Sequence, residues 1–293
     1  SLLSLLILWP TVVMAQDDVM DFAPVGVEDE RELKEEVEEA IKAYKRDDFL
    51  RASLILFSIV DRNTMAMSPY EQKAEYMLGK TLFRLNLFQA SLNYFDRVVQ
   101  AGAEHRYFKS TCKWLYYIST KISGEPQLLA KIAKYRPSDC PAEFRSEISF
   151  LLGHYHYKQG VAQASEESIN SGIRYLKQVL PESQYFPKAK FLEGISYVFL
   201  EKPKPAVDAF KDLMRVTLDS SRVSEDLEYF NQLAILSMAR VFYSTGQFET
   251  AAKYYDRVPQ DSALWLDALF EASWTFFRWR NHEKALGNLH TLN

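Results

Sequence analysis

A spacing of twelve residues, repeated along the chain, restricts its fold more than any other feature of the sequence. One helical segment carries a small residue, a second carries another twelve positions on, and a bulky residue follows four later. The pairs are Ala40 and Ala52, Gly79 and Ser91, Ile118 and Ala130, Gly194 and Ala206, Ala239 and Ala251, and Ser273 and Ala285. The bulky followers are Leu56, Phe95, Phe210, Tyr255 and Leu289, with Lys134 breaking the pattern. A seventh unit opens at Leu152-Gly153 and closes nineteen residues later at Gly172, with Leu176 behind it. Its extra seven residues are assigned to a longer polar turn over Val161–Ser168. Two antiparallel helices approach closely only where their facing side chains are small, and a constant offset keeps those positions level across a short turn. Each pair then leaves one apolar face open for the next, so the array grows in one dimension. Composition agrees: only 10 Gly against 14% aromatic residues suits packed helices better than turn-rich sheets.

The larger pattern resembles the tetratricopeptide repeat, whose first helix carries Leu-Gly-x2-Tyr and whose second carries Ala-x3-Phe. The matching residues are Leu78-Gly79-x2-Leu82, Gly194-x2-Tyr197 with Ala206-x3-Phe210, and Gly246-Gln247-Phe248 before Ala251-x3-Tyr255. Tyr94-Phe95-Asp96-Arg97-Val98 is echoed by Tyr254-Tyr255-Asp256-Arg257-Val258. Spacing departs from a steady 34, and residues 107–137 match poorly, with Ile118 where a small residue belongs. The resemblance implies an all-α, right-handed superhelical solenoid of antiparallel helix pairs, about seven repeats over residues 31–293. Units are placed near 31–63, 69–103, 105–137, 141–181, 185–219, 224–259 and 262–293. It also implies that first helices line a concave face that binds extended peptides or helices. Stepping one position past each small anchor, then four before or three beyond, selects inward-facing residues: Tyr76, Lys80 and Phe83; Phe150, His154 and Tyr157; Arg240 and Tyr243; Phe270, Trp274 and Phe277. Rings interleaved with cations suit a protein-binding groove, although rings at helical spacing equally suit the core between repeats.

Residues 1–15, from Ser1-Leu2-Leu3 to Val13-Met14-Ala15, read as the remnant of a secretory signal peptide cleaved after Ala15. The rival reading, a retained membrane anchor, is disfavoured because the run is short and broken by Pro10. Residues 16–30 read as an acidic flexible linker. Residues 17–48 hold 13 acidic and 5 basic side chains, whereas the whole chain nets −4, so the body is weakly basic without the dense cationic stripe of a nucleic-acid binder. No Asn-x-Ser/Thr acceptor occurs, which leans toward a bacterial periplasm, outer-membrane-associated or otherwise.

Catalytic motifs are missing from the sequence: no glycine-rich phosphate loop, no Gly-x-Ser-x-Gly, no His-Glu-x-x-His and no Cys-x-x-Cys. His154 and His156 point different ways on a helix and lack partners for a metal site. No enzyme activity, metal or cofactor is therefore expected. Cys112 and Cys140 lie at neighbouring ends of the third helix pair, which leaves two readings open, a disulfide or two separate buried thiols. The function expected is a non-catalytic scaffold in a bacterial envelope assembly, for motility, secretion or envelope biogenesis, holding segments or helices of other subunits. Two alternatives stand beside it: a docking arm for a catalytic or other domain beyond residue 293, and a groove contacting peptidoglycan.

Overall fold

A computed structural model describes residues 27–62, 68–122, 126–217 and 225–292. The signal-peptide assignment and most of the acidic linker lie outside these residues. Helix α1 (Val27–Lys45) begins before the expected end of that linker and pairs with α2 (Phe49–Asp61). The next pairs are α3 (Pro69–Arg84) with α4 (Phe88–Ala101), α5 (Phe108–Ser119) with α6 (Pro126–Ile132), and α7 (Arg145–Gln163) with α8 (Glu166–Leu176). Then come α9 (Phe186–Phe199) with α10 (Pro203–Thr217), α11 (Glu225–Ser244) with α12 (Phe248–Tyr255), and α13 (Trp265–Arg278) with α14 (His282–Leu292). Among the described residues there is no strand, and no helix is long and apolar enough to cross a membrane.

The small anchors act as the spacing requires. A Cβ built on Gly79 would lie 2.7 Å from the Phe95 ring, and one on Gly153 would lie 2.6 Å from Leu176. Gly194 meets Phe210 in the same way. Each bulky follower thus fills the space that the facing anchor leaves empty. Ser91 Oγ also donates to the Gly79 carbonyl at 2.7 Å, tying the two anchors of that pair directly.

The turns inside five pairs share one backbone solution. Seven residues past the first anchor, Asp47, Asn86, Glu201, Gly246 and Arg280 all adopt φ between 54° and 76°. The next residue's N–H then reaches back to the helix: Asp48 to Ala43, Leu87 to Leu82, Lys202 to Tyr197, Gln247 to Phe242 and Asn281 to Phe276, at 2.8–3.0 Å. A left-handed residue that ends one helix this way satisfies its last carbonyls and turns the chain at once into the next. Only one of the five is glycine, so the turn repeats in conformation but not in residue type. Where α3 begins, Pro69 follows a reciprocal cap: Ser68 Oγ accepts from the Glu71 N–H, and Glu71 Oε2 accepts from the Ser68 N–H at 2.6 Å.

Two expectations are overturned. The seven extra residues of the fourth pair do not form a loop; α7 continues to Gln163, Ala164 turns left-handed and α8 starts at Glu166. Seven residues are about two helical turns, so both helices lengthen together. Gly160 provides a second close approach there, where an added Cβ would lie 2.6 Å from the Ile169 side chain. In the third pair Ala130 is exposed, and Leu128, Ile132 and Tyr135 are buried instead. Bulky Ile118 fills the anchor site and keeps α6 from closing on α5 in the usual register. The pair is held otherwise: Cys112 and Cys140 form a disulfide with Cα atoms 5.6 Å apart, and Tyr135 stacks on Phe108 while donating to its carbonyl at 3.0 Å.

Among the described residues, first helices touch the next first helix in four places (α1 with α3, α3 with α5, α7 with α9, α9 with α11), whereas of the second helices α4 and α6 alone make comparable contact. First helices therefore line the inner, concave side of the array and second helices its outer, convex side.

Candidate protein-binding groove

The richest stretch of the concave side spans α1, α3 and α5. Tyr76 is buried, stacks on Tyr107 at 4.6 Å and accepts from Trp114 Nε1 at 3.0 Å. Phe83 packs edge-on against Trp114 at 5.4 Å and against Phe88 at 5.3 Å. Between these rings sits Lys80. Its Nζ lies 5.0 Å from the centre of Tyr44 and 5.6 Å from the centres of both Tyr76 and Trp114. No carboxylate lies within ion-pair distance of it among the described residues; its polar contact is the Met77 sulfur at 3.7 Å. Burial, and then repulsion from Lys113, hold its pKa below the ordinary lysine value. Burial also raises the phenols of Tyr44 and Tyr76. A cation caged by rings and short of a counter-charge is suited to an anionic group presented on a flat apolar or aromatic surface.

Other residues expected in the groove occupy different settings. Phe150 stacks on Tyr185 at 4.9 Å and lies 6.2 Å from His154. Burial, and then the nearby Lys158, lower the His154 pKa below the ordinary histidine value, which favours the neutral imidazole. Tyr157 is half-buried, and burial raises its phenol. His156 turns away and stacks on Tyr175 at 5.4 Å. No cluster of three or more His, Cys, Asp or Glu side chains able to hold a metal ion occurs among the described residues.

Arg240 is committed to Glu271, with Nη2 at 2.6 Å and Nε at 2.9 Å, and Tyr255 donates to the same carboxylate at 3.1 Å. It works as a strut between α11 and α13. Tyr243 packs edge-on against Phe248 where the chain turns into α12. Phe270, Trp274 and Phe277 are about half exposed. With Leu286 and Leu289 they line an open apolar hollow of about 400 Å³ on the last helix pair.

The eleven residues thus lie in four groups on four first helices: a cage, a stack, a strut and an apolar end face. Tyr44, Trp114 and Tyr117, the last edge-on to Trp114 at 5.6 Å, are not among the residues expected from the sequence. Tyr44 obeys the same stepping rule from Ala40, and applying it to the first unit finds it. Trp114 and Tyr117 do not, because the third unit has no small anchor to count from.

Neither a family model nor a curated protein matches the sequence. Solved structures do match by shape. The C-terminal part of a TPR repeat-containing protein from Cytophaga hutchinsonii aligns over 87% of this chain and 93% of its own, at 14% identity and a TM-score of 0.52. The apo form of RapI aligns over 89% of this chain and 75% of its own, at 12% identity and a TM-score of 0.50. Likeness at such identities speaks to fold. Together with the interlocking anchors and repeated turns, it shows that the chain folds as a tetratricopeptide-type solenoid.

Proposed function

We propose that the protein is a non-catalytic scaffold that holds other proteins in its concave groove, within an assembly of the bacterial periplasm or outer membrane. The observation that carries the binding part is the Lys80 cage. A half-buried ammonium facing Tyr44, Tyr76 and Trp114 without a carboxylate costs folding stability, and an anionic residue of a partner segment offsets that cost. The favoured ligand is an extended or helical segment carrying a carboxylate beside an apolar residue. The compartment part is supported by the Cys112–Cys140 disulfide, since such bonds persist where the surroundings are oxidising.

Crosslinking intact cell envelopes and purifying the protein tests both parts. Partners recovered with the wild type are expected to be lost, or reduced at least tenfold, with a Lys80→Ala/Trp114→Ala double variant that still folds. Equal recovery with that variant rejects the groove. Fractionation of the protein to the cytoplasm rejects the compartment.

A further inference from the structure

Helix α2 departs from the other second helices on its outer face. Its buried residues, Ala52, Leu56 and Ile59, face α1 and α3. On the opposite side Leu50 and Leu54 are each 64% exposed and Phe57 is 50% exposed. They stand at i, i+4 and i+7, one line along the helix. Counted from the small anchor, these are positions two before, two after and five after. In α4 the same positions hold Gln89, Asn93 and Asp96, and in α10 they hold Lys204, Asp208 and Lys211. Helix α12 has only charged residues there. A solenoid's outer face is solvated by default, and a single exposed leucine needs no explanation. Three aligned and exposed apolar residues do need one, at positions that are polar in α4, α10 and α12 and that in the third pair hold the buried Leu128, Ile132 and Tyr135.

Charge indicates what covers the stripe. Residues 27–62 hold 11 acidic and 7 basic side chains, so this first hairpin by itself nets as much negative charge as the whole chain. The arginines beside the stripe are already engaged, Arg51 with Glu39 at 2.6 Å and Arg62 with Glu36 at 2.7 Å. Arg31, Lys34, Lys42, Lys45 and Arg46 are exposed as well, yet acidic side chains still outnumber basic ones on the hairpin, with Glu30, Glu32, Glu35 and Glu38 exposed on α1. An apolar line on a net-acidic hairpin repels an anionic bilayer surface and a second copy of the same hairpin. It complements a helix with apolar residues on one face and lysine or arginine along its edges.

We propose that the outer face of α2 is a second docking surface, independent of the groove, for a basic amphipathic helix of a partner protein. Leu50, Leu54 and Phe57 receive the partner's apolar face, and the net negative charge of the α1–α2 hairpin steers its cations. With both faces in use, the first three helices engage one partner inside the array and another outside it.

The test uses the full chain and a synthetic helix with leucine on one face and lysine on the other. Its controls are the same leucine pattern with glutamate, and vesicles of anionic lipid. Leu54→Ser/Phe57→Ser is expected to weaken lysine-peptide binding roughly tenfold or more, with an unchanged melting temperature because both side chains are exposed. Lys80→Ala is expected to leave this binding intact, which separates failure here from failure of the groove reading. Affinity is also expected to fall as salt is raised. Equal binding by the serine variant or by the glutamate peptide overturns the proposal. So does sedimentation showing a dimer that the serine variant dissolves, or tighter binding to the vesicles than to the peptide.

Discussion

A methyl group added at Gly79 would meet the Phe95 ring at 2.7 Å, inside a packed pair that has no room to give. Gly79→Ala is therefore expected to destabilise the array by about 1–3 kcal/mol, as over-packed cores do. Gly287, by contrast, has nothing near its absent Cβ. Gly287→Ala is expected to gain up to about 1 kcal/mol from helix propensity. Urea midpoints of the two variants check the contrast, and equal shifts would show that the anchors are not in contact. Lys80 gives a pH signature. Its folded pKa lies below the ordinary 10.5 because of burial and then Lys113, so the unfolded chain holds this proton more tightly. Stability is then expected to rise with pH across the window from the lowered value up to 10.5. Subtracting the melting curve of Lys80→Met isolates this contribution, and a difference independent of pH would contradict it. Affinity for an anionic partner runs the opposite way, falling as the ammonium loses its proton.

The helical hairpin is the unit at which local strain and covalent links matter. Arg280 ends α13 with φ of 62°, and a left-handed residue with a side chain costs roughly 1–2 kcal/mol. Arg280→Gly relieves that strain and gives back part of the gain through glycine's greater freedom when unfolded. A rise in melting temperature is expected, and a fall would mean that the contacts of Arg280 outweigh its strain. The α5–α6 hairpin has a weaker interlock, with an exposed Ala130 and a short second helix. Its disulfide joins cysteines 28 residues apart. Closing a loop of that length stabilises a fold by roughly 3–4 kcal/mol in the chain-entropy account. Cys112→Ser/Cys140→Ser is expected to lower stability by about this amount. Amide exchange in α5 and α6 should rise before exchange elsewhere, and uniform loss of protection across all the helices would argue against a local staple.

At the scale of the whole molecule, each pair packs mainly on its neighbours, and the apolar core divides into successive clusters along the chain. Such an array behaves as a row of coupled units rather than as one indivisible body. Phe210 is fully buried between α9, α10 and α11. Replacing it with alanine is expected to cost about 3–5 kcal/mol at that point. The two ends should then melt separately, giving a two-step calorimetric transition where the wild type gives one. A single sharper or merely shifted transition would show stronger coupling than nearest-neighbour stacking provides. Equivalent positions in neighbouring units also differ in exposure. Leu236 is 1% exposed, in a cluster with residues of α12 and α13, whereas Phe270, one repeat later at the same position, is 49% exposed.

The sequence by itself determined the helix pairs, because small anchors and bulky followers are requirements of close packing that only certain residue types meet. It also marked Lys80 and Tyr76 as inward-facing, since helical periodicity fixes which side of a helix a residue occupies. Tertiary structure decided what each face meets. Arg240 became a strut because Glu271 arrives from the next pair, and Trp114 joined the cage because the third unit packs out of register. The repeated left-handed turns were hidden for a related reason: five different side chains adopt one backbone shape that hairpin closure, rather than residue preference, imposes. Periodicity speaks for contacts within a helix pair. Contacts between pairs depend on how the units stack, and the stacking is set by packing across the whole array.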